Sequence, residues 1–280
     1  MNKVLVIGPT YRSEIIVAKG KLNQNNTFTS DFYNDLCGGQ YIIANNLAVM
    51  DVSTYFITRL AYDEWGNKLL NNLDKNNVVV NFTCGSLTET PQKTYLFSQE
   101  GIKTFDNIPY NCYPSIEDSI PSEFFVNTDY AVINVINSNY LKHIIKNYPN
   151  VRYICDNNIP SDEFLELLDG IILDIDYIRN YVDEKDFSDF AKSLLHKGVN
   201  YLLITDGGKG IYIYSAKGND YLSKDDVGPY TIGCHETFVS MFVASRANGL
   251  PFSQAINYGL NLANDFSFSK AIKLEKDFFR

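Results

Sequence analysis

Val4-Leu5-Val6-Ile7, followed at once by Gly8-Pro9, decides how the rest of the chain is read. Four consecutive apolar residues ended by two turn formers make a strand buried on both faces, which places it centrally in a parallel sheet. Short strands of the same kind recur at 54–58, 78–82, 130–134, 151–155, 170–173 and 201–205, with amphipathic stretches between several of them. Helices are expected at 39–50, 64–75, 139–147, 186–197, 234–248 and 253–266. Gly198 stops the fourth, Asn248-Gly249 and Pro251 separate the last two, and Ser253 is placed to cap the last. This alternation is the βαβ pattern of a mainly parallel sheet with helices on both faces.

Two segments break the rhythm. Residues 13–33 and 90–105 are strand-like without intervening helices, and Gly101 makes a hairpin turn between Tyr95-Leu96-Phe97 and the strand at 102–105. They are read as a small separate sheet, a lid contributed by about 11–36 and 90–106 to a single α/β domain over 1–280. No internal repeat, low-complexity tract or Pro/Ser-rich linker divides the chain.

Composition narrows the function. The 280 residues carry 24 Lys+Arg and 33 Asp+Glu, a formal net charge of −9, with no clustered basic face. A nucleic-acid partner is excluded on that ground, whereas a small anionic group held by backbone amides is not. With 45% apolar and 14% aromatic residues the chain can bury a sizeable core. No apolar run approaches the roughly 18 residues that span a bilayer, and Met1-Asn2-Lys3 leads into a strand rather than a secretory segment, so a cytoplasmic protein is expected. Five scattered cysteines, Cys37, Cys84, Cys112, Cys155 and Cys234, fit free thiols better than disulfides or a zinc site.

Four constellations can carry chemistry. Thr205-Asp206-Gly207-Gly208-Lys209-Gly210 follows one apolar strand and precedes another; its glycines can bring the backbone close to a nucleotide phosphate, or simply turn a hairpin. Thr231-Ile232-Gly233-Cys234-His235-Glu236-Thr237-Phe238 feeds a glycine turn into a helix, whose unpaired amides near 233–236 can hold a phosphate. Glu236 there can accept a proton from a substrate hydroxyl, or merely complement the helix dipole. Cys37-Gly38-Gly39-Gln40 opens a helix near the lid and can admit a small polar ligand, or serve as a plain turn. Asp174-Ile175-Asp176 ends a buried strand, where its two carboxylates suit a hydrated Mg²⁺, or Asp176 caps a helix. His143, His196 and His235 are too separated for a metal cluster, and no Gly-x-Ser-x-Gly elbow, Walker loop or complete dinucleotide fingerprint occurs.

The order of these motifs resembles the ribokinase-like (PfkB) carbohydrate kinase family over nearly the full length. Gly8, Gly38-Gly39, the turn at 205–210 and Gly233-Cys234-His235-Glu236 fall at the places of that family's strand-end glycine, double glycine, Thr-x-Gly-x-x-Gly turn and Gly-Ala-Gly-Asp helix start. The stretch 55–66 is similar too, with Arg59, Asp63, Trp65 and Gly66 retained.

The resemblance implies a three-layer α/β/α fold with a β-sheet lid over the sugar. It also implies ATP- and Mg²⁺-dependent phosphorylation of a sugar or nucleoside hydroxyl. Glu236 occupies the place of the catalytic Asp, with Gly233, Cys234 and His235 as anion hole. Thr205, Gly207, Gly208 and Gly210 face ATP, Ser13, Gly38, Gly39 and Gln40 the acceptor, and Asp174 and Asp176 the metal. Departures concentrate at the chemistry. Ser13 stands for a sugar-binding Asp, Ile43 for the Asn of the double-glycine motif, and Asp174 and Tyr177 for the Asn and Glu of Asn-x-x-Glu. Tyr230, Ile232 and His235 replace the Asp, second Thr and second Gly before the base, and His235 would be strained if that glycine's φ must be positive. The alternative is a kinase-fold protein that binds nucleotide or sugar as a sensor or partner subunit. The family's lid contact between subunits implies a homodimer, with Phe28, Phe32, Tyr33, Tyr95 and Phe97 at the interface or packed on the main domain.

Overall fold

A computed structural model gives the fold and describes residues 2–18, 29–35, 38–98 and 101–279. Among these the chain runs β1 (Lys3–Ile7), β2 (Arg12–Ala18), β3 (Thr29–Asp35), α1 (Gln40–Val49), β4 (Ser53–Arg59), α2 (Glu64–Lys75), β5 (Val79–Thr83), β6 (Gln92–Ser98), β7 (Gly101–Asn107), β8 (Thr128–Ile133), α3 (Ser138–Asn147), β9 (Arg152–Asp156), β10 (Gly170–Asp174), α4 (Ile175–Ile178), α5 (Phe187–His196), β11 (Tyr201–Asp206), β12 (Gly210–Ser215), β13 (Gly218–Ser223), α6 (Cys234–Ala247) and α7 (Phe252–Phe266).

The main sheet has the order β13-β12-β11-β10-β9-β8-β1-β4-β5. Its strands from β11 to β5 are parallel, and β12 and β13 add an antiparallel edge. β1 is interior, between β8 and β4, and all five of its residues are buried. Strand alternation splits its side chains between two layers. Val4 and Val6 join α1, α2, α6 and α7 in one core, while Leu5 and Ile7 join α3 and α5 in the other. That division makes the fold three-layer α/β/α, as the sequence pattern requires.

A second sheet of order β3-β2-β6-β7 stands apart from the first. β2 runs parallel to β6, and the flanking pairs are antiparallel. Ser98 pairs with Gly101, the first residue of β7, so the two strands expected around Gly101 pair antiparallel; residues 99–100 lie outside the described residues.

Two elements depart from the sequence reading. Ser253 does not cap the last helix, which begins at Phe252 behind Pro251; the ring fixes φ at −56°, suited to a helix entry, and the Leu250 N–H has already turned back to Ser245 O. β13 is not anticipated, because its six residues are mostly exposed and polar and carry little period-two signal. No helix among the described residues is long and apolar enough to cross a membrane. Cys84, Cys112, Cys155 and Cys234 are free thiols, and Cys37 lies outside the described residues.

Candidate active site

From β1 the chain builds the sheet in both directions, to β4 and β5 on one side and to β8 through β11 on the other. Strand ends at such a reversal open a crevice on the carboxyl side. Asp156, Asp174 and Thr205 stand at the ends of β9, β10 and β11, and the start of α6 lies against them.

α6 starts on Gly233, whose φ of 85° is left-handed, and a Cβ there would stand 2.3 Å from the Ile272 carbonyl oxygen. Only glycine fits both demands. The Cys234 amide donates to Thr231 O at 3.2 Å, whereas the amides of Gly233 and His235 meet no backbone carbonyl among the described residues. Donors left over in this way at a helix start suit an anion. Cys234 itself is fully buried, and burial pushes its thiol up to about 12, so its side chain stays neutral.

Glu236 sits two residues after Cys234, partly buried, with its carboxyl making no hydrogen bond to another side chain among the described residues. Burial raises its pKa; His235 works against the rise, and Asp156 and Asp174 add to it. A carboxyl shifted upward takes a proton more readily near neutral pH. The Glu236 charge also reaches the Tyr11 hydroxyl, just before β2, and the Lys93 ammonium on β6. Burial works to lower the Lys93 ammonium, but Tyr95, Asp106 and Glu236 outweigh it and raise the group.

His235 is 4% exposed and does not point into the crevice. Its Nε2 lies 2.7 Å from Asp156 Oδ1, and its Nδ1 2.7 Å from Thr205 Oγ1. The other carboxylate oxygen of Asp156 accepts from Gln40 Nε2 at 2.6 Å. Burial alone would lower the imidazole, yet the Asp156 carboxylate prevails and lifts it to about 9. The strain expected at His235 does not arise, because the residue lies within α6; among the described non-glycine residues only Asp51, Asn77, Asn127 and Asn157 have positive φ. The left-handed conformation sits two residues earlier, at Gly233. Asp156 escaped the sequence reading, although an acidic residue ending a buried strand is the same signal that singled out Asp174.

Residues 205–210 form a hairpin connection between β11 and β12, with Asp206 paired to Gly210. The turn is backed by its neighbours: Gly207 faces Thr231, and Gly208 approaches the Ala263 carbonyl. Thr205 is 3% exposed, with its hydroxyl engaged by His235.

On the acceptor side the double glycine closes on Tyr11. A Cβ on Gly38 would fall 1.8 Å from the Tyr11 ring, and Gly39 bridges to Thr10. Tyr11 is buried, and burial, then Glu236 and Asp106, raise its hydroxyl well above the ordinary value. Ser13 is 2% exposed and pairs in register with Lys93, on the strand face that Lys93 presents towards Glu236. Ile43 is a core residue.

The two carboxylates expected at a metal differ in setting. Asp174, and not Asp176, is the capping residue: its Oδ1 accepts from the Asp176 amide at 2.8 Å. The Asp176 side chain is 88% exposed and faces Arg179 at 3.5 Å. Burial raises the Asp174 carboxyl, with His235 opposing. No group of three or more ligating side chains suited to a metal occurs among the described residues.

The retained residues of 55–66 build structure. Arg59 and Asp118 form a buried ion pair at 2.9 Å, and Asp63 caps α2 through the Gly66 amide at 2.7 Å. Tyr95 and Phe97 pack against the main core. Phe28 and the side chains of Phe32 and Tyr33 lie outside what is described.

Comparison with known proteins makes the family explicit. Residues 1–264 match the model of the pfkB family carbohydrate kinases, and the chain belongs to that family. Solved structures carry the same fold. The ribokinase of Thermotoga maritima superposes with a TM-score of 0.80 at 15% identity, over 99% of this chain and 98% of that one. An Arabidopsis thaliana ribokinase complexed with ribose and ATP gives 0.75 at 16% identity, over 99% and 96%. The Cryptococcus neoformans ribokinase in complex with ADP gives 0.74 at 13% identity, over 97% and 96%. No curated protein sequence matches the chain significantly.

Proposed function

We propose that the chain transfers the γ-phosphate of ATP to a hydroxyl of a small carbohydrate or nucleoside, with Glu236 as the base. The observation that carries this reading is Glu236 in the first turn of α6, a helix whose Gly233 and His235 amides meet no backbone carbonyl among the described residues and whose start lies against the carboxyl end of the parallel sheet. The acceptor oxygen attacks the γ-phosphorus, the bond to the ADP oxygen breaks, and the hydroxyl proton passes to Glu236. Such a transfer needs positioning and charge neutralisation more than covalent help. The amides of Gly233 and His235, with the dipole of α6, meet the charge on the transferred group. The second sheet acts as a lid, bringing Ser13, Tyr11 and Lys93 over the acceptor with Gly38, Gly39 and Gln40 beneath it. The hairpin at 205–210, with Thr205, Gly207, Gly208 and Gly210, lines the nucleotide side.

Magnesium, when bound, neutralises the phosphate oxygens. The donor set fits an ion carried mainly by the nucleotide and water, with Asp174 as the protein carboxylate at hand and Asp176 turned to solvent.

One observation favours the second reading, a kinase-fold protein that binds nucleotide or sugar without turnover. Thr205, expected to face the nucleotide, has its hydroxyl engaged by His235 Nδ1. ADP release from Mg·ATP across pentoses, hexoses, sugar phosphates and nucleosides, run beside Glu236→Gln, separates the two. Acceptor-dependent release lost by a factor of a hundred or more in the variant is expected. Release indifferent to the substitution would remove Glu236 from the chemistry, and binding without release would establish the second reading.

A further inference from the structure

α1 and α6 both start on a glycine, Gly39 and Gly233, and neither helix has a side-chain cap. A glycine start supplies no capping oxygen, so the first-turn amides receive no help from the cap side chain. Each helix nevertheless carries, in its first turn, a side chain that reaches the same carboxylate. Gln40, the first residue of α1, donates to Asp156 Oδ2 at 2.6 Å, and His235, the second of α6, meets Asp156 Oδ1 at 2.7 Å. Gln40 is fully buried, and Asp156 and His235 are 3% and 4% exposed. The far ring nitrogen of His235 continues to Thr205 at the end of β11. Asp156 therefore stands between the acceptor-side helix start and the phosphate-side helix start, 116 residues from one partner and 79 from the other.

We infer that Asp156 is a positioning residue that fixes both helix starts to the end of β9, and that through His235 it holds the Glu236 carboxyl and the anion-binding amides in place. The inference rests on the reading of Glu236 as base, which it deepens. His235 immediately precedes Glu236 in α6, so an anchored imidazole fixes the backbone from which the Glu236 side chain departs. A displacement of one ångström at a reacting group costs roughly a hundredfold in rate. The groups facing the imidazole are Asp156 from β9, Asp174 from the end of β10 and Glu236 on its own helix, with Thr205 neutral; all the charged ones favour the imidazolium.

Hydrogen exchange read by mass spectrometry tests this without requiring turnover. In Asp156→Asn, exchange at 39–48 and at 231–242 should accelerate at least tenfold, while α5 stays within twofold of wild type. In His235→Gln only 231–242 should accelerate. Unchanged exchange at either helix start in Asp156→Asn would overturn the inference. Should that variant loosen everywhere, Thr205→Val, which removes only the distal hydroxyl, decides: acceleration confined to 231–242 supports the chain of contacts, and none refutes it. A second readout follows ring protonation by ¹⁵N NMR. His235 should keep both N–H groups from pH 6 to 8 in wild type and titrate within that range in Asp156→Asn; loss of a proton below pH 7 in wild type would refute the ion pair. If the exchange pattern appears but ADP release ignores Glu236→Gln, the positioning pair stands and the kinase assignment of Glu236 falls. The reverse pattern leaves Glu236 as base and removes Asp156 as its support.

Discussion

Asp63 and Thr90 are joined twice: one carboxylate oxygen of Asp63 accepts the Thr90 amide and the other its hydroxyl, both at 2.6 Å. The same carboxylate caps α2, so a single side chain fastens the root of β6, and with it the second sheet, to the main domain. Hydrogen bonds to a charged group contribute about 1.5–3 kcal/mol each and do not add fully. Asp63→Ala should therefore cost about 2–4 kcal/mol in chemical denaturation, and Thr90→Val about 1–2. Burial works to raise the Asp63 carboxyl, but Gly66 and Thr90 hold it below its ordinary value. Its contribution is thus complete above the ordinary carboxylate range and is lost as pH falls through the lowered value. The difference between wild type and Asp63→Ala should shrink in acid; a constant difference would show that the carboxylate charge is not what holds the sheet.

The His235 imidazole sits at about 9, above its ordinary 6.5. A raised base stabilises the fold fully below the unfolded value and loses that contribution as pH rises through the folded one. The shift corresponds to stabilisation on the order of 3 kcal/mol. Melting of wild type against His235→Gln from pH 6 to 10 should show the gap largest at pH 6 and closing above pH 8. A gap that widens with pH contradicts the assignment.

Gly38 and Tyr11 share one space, with a Cβ on Gly38 falling 1.8 Å from the ring edge. Gly38→Ala should destabilise by about 1–3 kcal/mol through overpacking. Removing the ring as well, in Gly38→Ala/Tyr11→Ala, should cost less than the sum of the two single changes. Strict additivity in the double-mutant cycle would show that the two do not compete.

Asp174 and Asp176, two residues apart, should behave differently. Asp174→Asn is expected to lower turnover tenfold or more and to raise the magnesium concentration needed for half-maximal rate. Asp176→Ala should stay within twofold, because its carboxylate faces solvent and Arg179. Equal losses would place both carboxylates at the metal.

Arg59 donates to both oxygens of Asp118, to Ser115 and to the Asn111 carbonyl. Breaking a buried pair from one side typically costs about 3–5 kcal/mol, because the remaining charge is left unpaired. Arg59→Met should show that loss in denaturation, and Arg59→Met/Asp118→Leu should recover part of it. A double variant no better than the single would mean that the neighbouring polar contacts, not the charge, dominate.

The sequence by itself determined the layers. Val4 to Ile7 reads as a strand buried on two faces because its side chains alternate between two cores. The main helices and the strand-like segments of the smaller sheet follow from local period and turn residues, which depend on neighbours only a few positions away. The order of Gly8, Gly38-Gly39, the 205–210 turn and Gly233 to Glu236 likewise needed no coordinates. Tertiary structure alone decided what the polar side chains do. His235, read as a strained replacement for glycine, lies in relaxed helix and reaches Asp156 across 79 residues of chain. Asp174 spends an oxygen on the α4 cap, and the Asp176 side chain is exposed beside Arg179. Thr205 serves His235, and Gly38 serves Tyr11. Backbone form is set by local sterics and hydrophobic period, whereas a hydrogen-bond partner is set by which strand ends the finished sheet brings within 3 Å.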